Sequence, residues 1–300
     1  MQTAPDAGLD RAFLQQVEAD VRRALAEDVG SGDLTAALVP EGQTARAGIV
    51  CREAAVICGQ PWVMATLGQV APSAVATWHV ADGGRCTPGQ TVVEFTGPAR
   101  GLLTAERTCL NFLQTLSAVA TSTALHVAAV AGTGAAILDT RKTIPGLRVA
   151  QKYAVRCGGG RNHRMGLYDA ILIKENHIAA AGGLGAAFAA ARRHGAQARF
   201  IQVEVETLDQ LEEALQAGVA MVLLDNMPIE RIRSAVRMAA GRCSLEVSGG
   251  VTLARLRELA ETGVDRISVG ALIKDIRAID FSMRFQAAPV ERTRGAAAPA

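Results

Sequence analysis

"RFIQVEVETLDQLEEALQAGVAMVLLD", residues 199–225, carries the pattern that decides the fold. An apolar run rich in Val and Ile ends in a carboxylate. A stretch with Leu and Ala at helical spacing follows, and a second apolar run again ends in a carboxylate. Strand, helix, strand at this length means two parallel strands joined by a right-handed crossover. The unit recurs on both sides, in "AAILD" (135–139), "AILIK" (170–174), "SLEVS" (244–248) and "DRISVG" (265–270), each followed by a helix-like segment. Six strands alternating with helices predict an α/β fold. Asp139, Lys174, Glu204, Asp225, Ser248 and Gly270 each fall at or just beyond the C-terminal end of a predicted strand. In a β/α barrel all strand ends converge on one rim, where active sites are built. An open doubly wound sheet would use its carboxyl ends only around a switch point. Contributions from all six strands therefore predict a barrel.

Upstream of residue 135 the texture differs. Residues 9–27 read as an amphipathic helix with Phe13, Leu14, Val17, Val21 and Leu25 on one stripe. Residues 45–97 alternate Val, Ile and Thr with "DGG" and "PGQ" turns, predicting short strands around one helix near "QPWVMATLGQV". A long helix follows, from about Leu102 to about Val130. The segment "LSAVATSTALHVAAVAGTGAAIL" (116–138) is the one stretch resembling a membrane span, but it consists mostly of weakly apolar Ala, Ser, Thr and Gly, so a buried helix is expected.

Composition bounds the function classes. The 300 residues are 49% hydrophobic and 20% charged, with mean hydropathy +0.19, which places the chain among folded globular proteins. A net charge of +2 offers no global field for nucleic acid or membrane, so anion recognition must come from local clusters. The six cysteines include no CxxC pair, and the N-terminus has no basic-then-apolar leader. Both fit a reducing, cytoplasmic setting. HExxH, GxSxG and P-loop patterns are absent from the sequence.

The local clusters are visible. "LDTRKTIPGLR" puts Arg141 and Lys142 at the rim, and "NHRMGLYDAILIKENH" adds His163, Arg164, Lys174 and His177, with Arg107 on the long helix. Several fixed cations suit a ligand with more than one carboxylate or phosphate. Any one of them alone would be an ordinary solvated charge. Glu204 and Asp225, ending neighbouring strands, form either a hard-cation site for Mg²⁺ or salt-bridge partners of the cations, with Glu206 on the same strand side as Glu204. "VSGGVT" and "ISVGAL" are small-residue turns after the last two strands, where barrels often bind phosphate. His79, His126 and His194 have no partnered spacing and read as core or surface residues.

Together "ERTCLNFLQTLSAVAT", "DTRKTIPGLR", "QKYAVRCGGGRNHRMGLYDAILIKENHI", "VEVE", "LLDNM" and "SGGVT" resemble the quinolinate phosphoribosyltransferase family, from about residue 27 to residue 274. One departure is Ala118, where the family usually has Gly. The resemblance implies an incomplete six-stranded parallel β/α barrel (115–273) with an N-terminal α/β sandwich domain (1–114) joined by segment 274–290, and a flexible tail at 291–300. It implies phosphoribosyl transfer from 5-phosphoribosyl 1-pyrophosphate to quinolinate with loss of CO₂, in a homodimer or larger homo-oligomer with shared sites. Arg107 would cross the interface. Arg141, His163, Arg164 and Lys174 would surround quinolinate, with Lys142 between the substrates. Glu204 and Asp225 would hold Mg²⁺ and pyrophosphate. Ser248, Gly249 and Gly270 would cradle the 5′-phosphate, with Thr140, Gly250, Ser268 and Ala271 among the substrate-binding positions. Lys142, Lys174, Glu204 and Asp225 would act in catalysis. A non-decarboxylating relative, or a non-catalytic anion-binding barrel of a transport operon, are the alternatives.

One local problem remains. Ten residues separate Arg164 from Lys174, roughly 33 Å if extended. A simple strand reading puts "GGGRNHR" at the start of the "AILIK" strand, the wrong end of the barrel. If both cations hold one small ring, Gly158–Gly160 and Gly166 must let the chain double back.

Overall fold

The computed structural model describes residues 10–286. The predicted tail at 291–300 and positions 287–290 of the joining segment lie outside the described residues. Helix α1 (Arg11–Asp28) starts where the Asp10 carboxylate accepts the Phe13 N–H at 2.8 Å. It buries Phe13, Val17, Val21 and Leu25, whereas Leu14 faces outward at 45% exposure. Strands β1 (Thr44–Cys51) and β2 (Ala55–Val56) lead to α2 (Gln60–Val70). Its first turn has no local cap; instead the Asp82 carboxylate accepts the Gly59 and Gln60 N–H groups from across the domain. Strands β3 (Val75–Trp78), β4 (Arg85–Cys86) and β5 (Thr91–Pro98) follow.

Helix α3 (Ala99–Ala129) is 31 residues long, roughly 46 Å at 1.5 Å per residue. It passes residues 114–115 without a break and serves two cores. Cys109, Leu110 and Leu113 pack with Ile49, Val93 and Phe95 of the N-terminal sheet, while Leu116, Val119 and Ala120 pack with the C-terminal core. Ala118 sits buried on this helix among the N-terminal core residues.

The C-terminal region alternates regularly: β6 (Ala136–Leu138), α4 (Arg148–Cys157), β7 (Ile171–Ile173), α5 (Glu175–Ala181), α6 (Leu184–His194), β8 (Ile201–Val205), α7 (Leu208–Gln216), β9 (Met221–Asp225), α8 (Ile229–Ala239), β10 (Ser244–Ser248), α9 (Leu256–Ala260), β11 (Arg266–Ser268) and α10 (Ala271–Lys274). Its six strands form one parallel sheet in the order β6-β11-β10-β9-β8-β7. The last strand, β12 (Phe281–Gln286), leaves this region and pairs antiparallel with β1, giving an N-terminal sheet of order β12-β1-β5-β3.

The parallel sheet is open between β6 and β7. Here the glycine segment finds its route. The Arg161 N–H donates to Ile137 O at 2.8 Å and its carbonyl accepts from Asp139 N at 3.2 Å, so the chain runs parallel to β6 and not along the start of β7. That path carries His163 and Arg164 out to the rim. Only glycine permits it: a Cβ on Gly158 would lie 2.4 Å from Ala120 O, and Gly159 has φ +86°.

Candidate active site

One cavity of about 470 Å³ opens at the carboxyl ends of the parallel strands. Thr140, Arg141, Lys142, His163, Arg164, Lys174, Glu204, Asp225, Ser248, Gly249, Gly250 and Ser268 line it. Among the sequence-predicted residues, five are not on its wall. Arg107 stands exposed on α3. Gly270 and Ala271 begin α10 just outside, where a Cβ on Gly270 would meet Lys142 Cδ at 3.1 Å. His177 caps α5 instead, its Nδ1 accepting the Lys174 N–H at 3.0 Å, and Glu206 is exposed beyond β8. Glu246, Leu172, Leu223 and Asn226 line the cavity without having been singled out.

The cations are placed by a scaffold of buried polar contacts. Asp139, directly after β6, turns inward with no exposure and forms an ion pair with the equally buried Lys152 of α4. Asp139 also accepts the His163 N–H at 2.9 Å and the Asn162 side-chain amide at 2.6 Å, while Lys152 Nζ donates to His163 O at 3.1 Å. Burial pushes the Asp139 carboxyl up and the Lys152 ammonium down, each opposed by the charge of the other. Arg148 braces the neighbouring loop, donating to Thr143 Oγ1, Met165 O and Arg141 O at 3.1–3.3 Å. Arg141 and Lys142, two and three residues beyond Asp139, are thereby turned to the cavity.

Charge balance inside the cavity is uneven. Lys174 Nζ lies 2.7 and 2.6 Å from the two Glu204 oxygens. Arg141, Lys142 and Arg164 form no ion pair among the described residues, and Arg141 Nε is buried without a hydrogen-bond partner. Among the described residues the Arg164 guanidinium donates only to Ala170 O, at 3.3 Å; burial, and then the neighbouring Arg141 charge, push its pKa down. Unmatched cations of this kind invite anionic ligands.

Asp225 likewise makes no ion pair among the described residues; its Oδ2 accepts from Asn226 Nδ2 at 2.9 Å. Glu204 and Asp225 present hard carboxylate oxygens from adjacent strands toward one cavity. That donor set suits Mg²⁺, which takes few protein ligands and fills its shell with water and phosphate. Below Asp225, the Asn226 side chain packs so tightly on Gly249 (φ +92°) that a Cβ there would fall 2.0 Å from Asn226 Oδ1. Gly249 is thus required by the approach of the neighbouring strand end, whereas Gly250 has open space around it and is favoured by its φ of +56°. Elsewhere, ligand atoms of Cys58, Asp82 and Cys157 lie within 4.8 Å of one another. Asp82 is already committed to capping α2 and to Tyr153 Oη at 2.8 Å, and burial pushes the Cys58 thiol up, so this group belongs to the core.

An open parallel barrel whose strand ends gather unmatched cations, an acid pair and a glycine turn has the makings of an enzyme acting on small anions. Two family models, described as the N-terminal and C-terminal domains of quinolinate phosphoribosyl transferase, match residues 33–117 and 119–284. The chain belongs to that family. It is similar to the probable nicotinate-nucleotide pyrophosphorylase [carboxylating] of Bacillus subtilis, 40% identical over 86% of this chain and 89% of that protein. The Mycobacterium leprae nicotinate-nucleotide pyrophosphorylase [carboxylating] is 43% identical over 88% and 95%. Among solved structures, the nicotinate-nucleotide pyrophosphorylase from Francisella tularensis superposes with TM-score 0.89 at 43% identity, covering 95% of this chain and all of that one. Among the described residues, no helix is long and apolar enough to cross a membrane.

Proposed function

We propose that this chain transfers the phosphoribosyl group of 5-phosphoribosyl 1-pyrophosphate to quinolinate with loss of CO₂, giving nicotinate mononucleotide and pyrophosphate for NAD synthesis. The observation that carries this reading is the cavity where Arg141, Lys142 and Arg164 form no ion pair among the described residues while Glu204 and Asp225 face the same space. Arg141 and Arg164 grip the two ring carboxylates and hold the ring nitrogen in line with C1′. Ser248, Gly249, Gly250 and Ser268 hold the 5′-phosphate, and Lys142 and Lys174 face the leaving pyrophosphate. Glu204 and Asp225 would hold Mg²⁺, which supplies positive charge to the pyrophosphate oxygens. The nitrogen lone pair forms the N–C1′ bond while the C1′–O bond breaks, its electrons leaving with pyrophosphate. The bond from C2 to its carboxylate then breaks. CO₂ departs, and the electron pair left on C2, beside the quaternised nitrogen, takes a proton from solvent.

Arg107 is supplied by a second copy of the chain, in a homodimer or larger homo-oligomer. Its exposure on α3, outside its own cavity, supports that arrangement. The enzyme works in the cytoplasm, in keeping with six buried free thiols that need a reducing compartment. Purified protein with Mg²⁺ is expected to release pyrophosphate and CO₂ in equal amounts from the two substrates. A folded sample that binds quinolinate without releasing either would mark a binding protein. Pyrophosphate release from nicotinate without CO₂ would mark a non-decarboxylating enzyme.

A further inference from the structure

Barrel interiors are usually filled by branched aliphatic side chains. Here the layer just beneath the rim holds a polar chain. By the period of two along each strand, Gln202 lies one step inside Glu204, Glu246 one step inside Ser248, and Arg266 one step inside Ser268. Gln202 and Glu246 have no exposure at all. Gln202 Nε2 donates to Glu246 Oε2 at 3.1 Å, and Arg266 Nε stands 3.5 Å from the same oxygen. On the other side Gln202 Oε1 is 2.9 Å from His163 Nε2. The Arg164 backbone N–H completes the series at 2.7 Å from His163 Nδ1.

Donor and acceptor logic gives this chain a direction. A carboxylate held by an arginine only accepts, so Gln202 must turn its NH₂ toward Glu246 and its carbonyl oxygen toward His163. A carbonyl oxygen only accepts, so His163 Nε2 must carry the hydrogen. A backbone N–H only donates, so His163 Nδ1 must carry the lone pair. Every link demands the same neutral tautomer. Burial supports it by pushing the His163 pKa down, against the opposing pull of Glu246. The ring plane is fixed by edge-on contact with Phe200 at 5.4 Å between centroids.

We infer that Gln202 and Glu246 are positioning residues for the acidic ring substrate: through the His163 tautomer they hold the Arg164 main chain, and with it the guanidinium, at the cavity wall. His163 is then a strut and not a substrate ligand, because both ring nitrogens are used inside the protein. The inference rests on the reading that Arg164 grips a quinolinate carboxylate.

The test compares Glu246→Leu with Glu246→Gln, whose side-chain carbonyl can still accept from Gln202. Glu246→Leu is expected to raise the quinolinate KM about tenfold, the size of effect that loss of one buried hydrogen bond gives. The phosphoribosyl pyrophosphate KM and kcat should stay within about threefold, and Glu246→Gln should restore most of the loss. Equal rises in both KM values, or loss of kcat alone with unchanged quinolinate KM, would overturn the assignment. Nitrogen-15 NMR of histidine-labelled protein supplies a second readout that needs no substrate. Wild type should show His163 with a hydrogen on Nε2 and a bare Nδ1, and Glu246→Leu should lose that pattern. A wild-type His163 with a hydrogen on Nδ1 would overturn the inference even in a fully active enzyme. Inactive wild type with the expected tautomer would instead count against quinolinate as the substrate.

Discussion

Lys152 and Arg141 serve the same strand end in opposite ways. Lys152 is wholly buried, yet it meets Asp139, the next residue after β6, and a backbone carbonyl. Arg141, two residues beyond Asp139, has a buried Nε with no partner and forms no ion pair among the described residues. Both desolvate a cation. Of these, only Lys152 forms an ion pair among the described residues; under the proposed function the charges on Arg141 and Arg164 are compensated by the anionic substrate. Under that reading, cations of the first kind hold the rim in place and those of the second kind bind substrate. The distinction follows from partners, since burial alone would group Lys152 with Arg164.

That division can be broken most sharply at Asp139. Asp139→Asn leaves the Lys152 charge buried and unmatched, at an expected cost of about 3–5 kcal/mol in urea unfolding. Adding Lys152→Met should recover most of it. A single mutant as stable as wild type would erase the difference between the two kinds of cation. Next in size is Arg164→Met. Removing a desolvated charge that lacks an internal partner should leave stability unchanged or raise it. It should lift the quinolinate KM roughly 10- to 100-fold, the range for a lost charge-assisted hydrogen bond. Arg107→Ala should likewise raise that KM with no loss of stability, and mixing it with a Lys142→Ala variant should regain activity through hybrid oligomers. An unchanged quinolinate KM in both arginine variants would remove the proposed pocket.

The smallest effect concerns the loop that carries Arg164 back to β7. Burial disfavours the Asp169 carboxylate, but N–H groups of Gly166 and Met165, with Arg199, outweigh it and hold its pKa below the usual value. A depressed folded pKa contributes stability above the unfolded value, and that contribution is lost as pH falls through the folded one. Stability should therefore decline below about pH 4, and Asp169→Asn should flatten that acid limb. Parallel acid limbs for the two proteins would show that Asp169 does not couple to the fold.

Much of this was legible before any coordinates. Apolar runs ending in Lys174, Glu204, Asp225 and Ser248 announced both the parallel sheet and its working rim, because strand periodicity and strand ends are local properties. Glu246, a carboxylate inside the apolar run "SLEVS", was not singled out, because a lone acid in a strand does not name its partners. The Lys152–Asp139 pair was hidden for the same reason: in the sequence Lys152 lies on a helix and Asp139 ends a strand, 13 positions apart. Glu204 stood evenly between metal ligand and salt-bridge partner, and its contact with Lys174 does not exclude the metal, since Asp225 beside it makes no ion pair among the described residues.

By itself, then, the sequence determined the alternation of strands and helices, the residues at each strand end and the membership of the family, all encoded in short-range patterns. The tertiary structure decided where "CGGGRNHRMG" runs. Whether that segment lies along β6 or β7 depends on the gap left in the sheet and on how closely Gly158 can approach α3, and both are set by residues distant in the chain. It also decided which cations are matched and which His163 nitrogen carries the hydrogen, because partners across strands are chosen by packing and not by order.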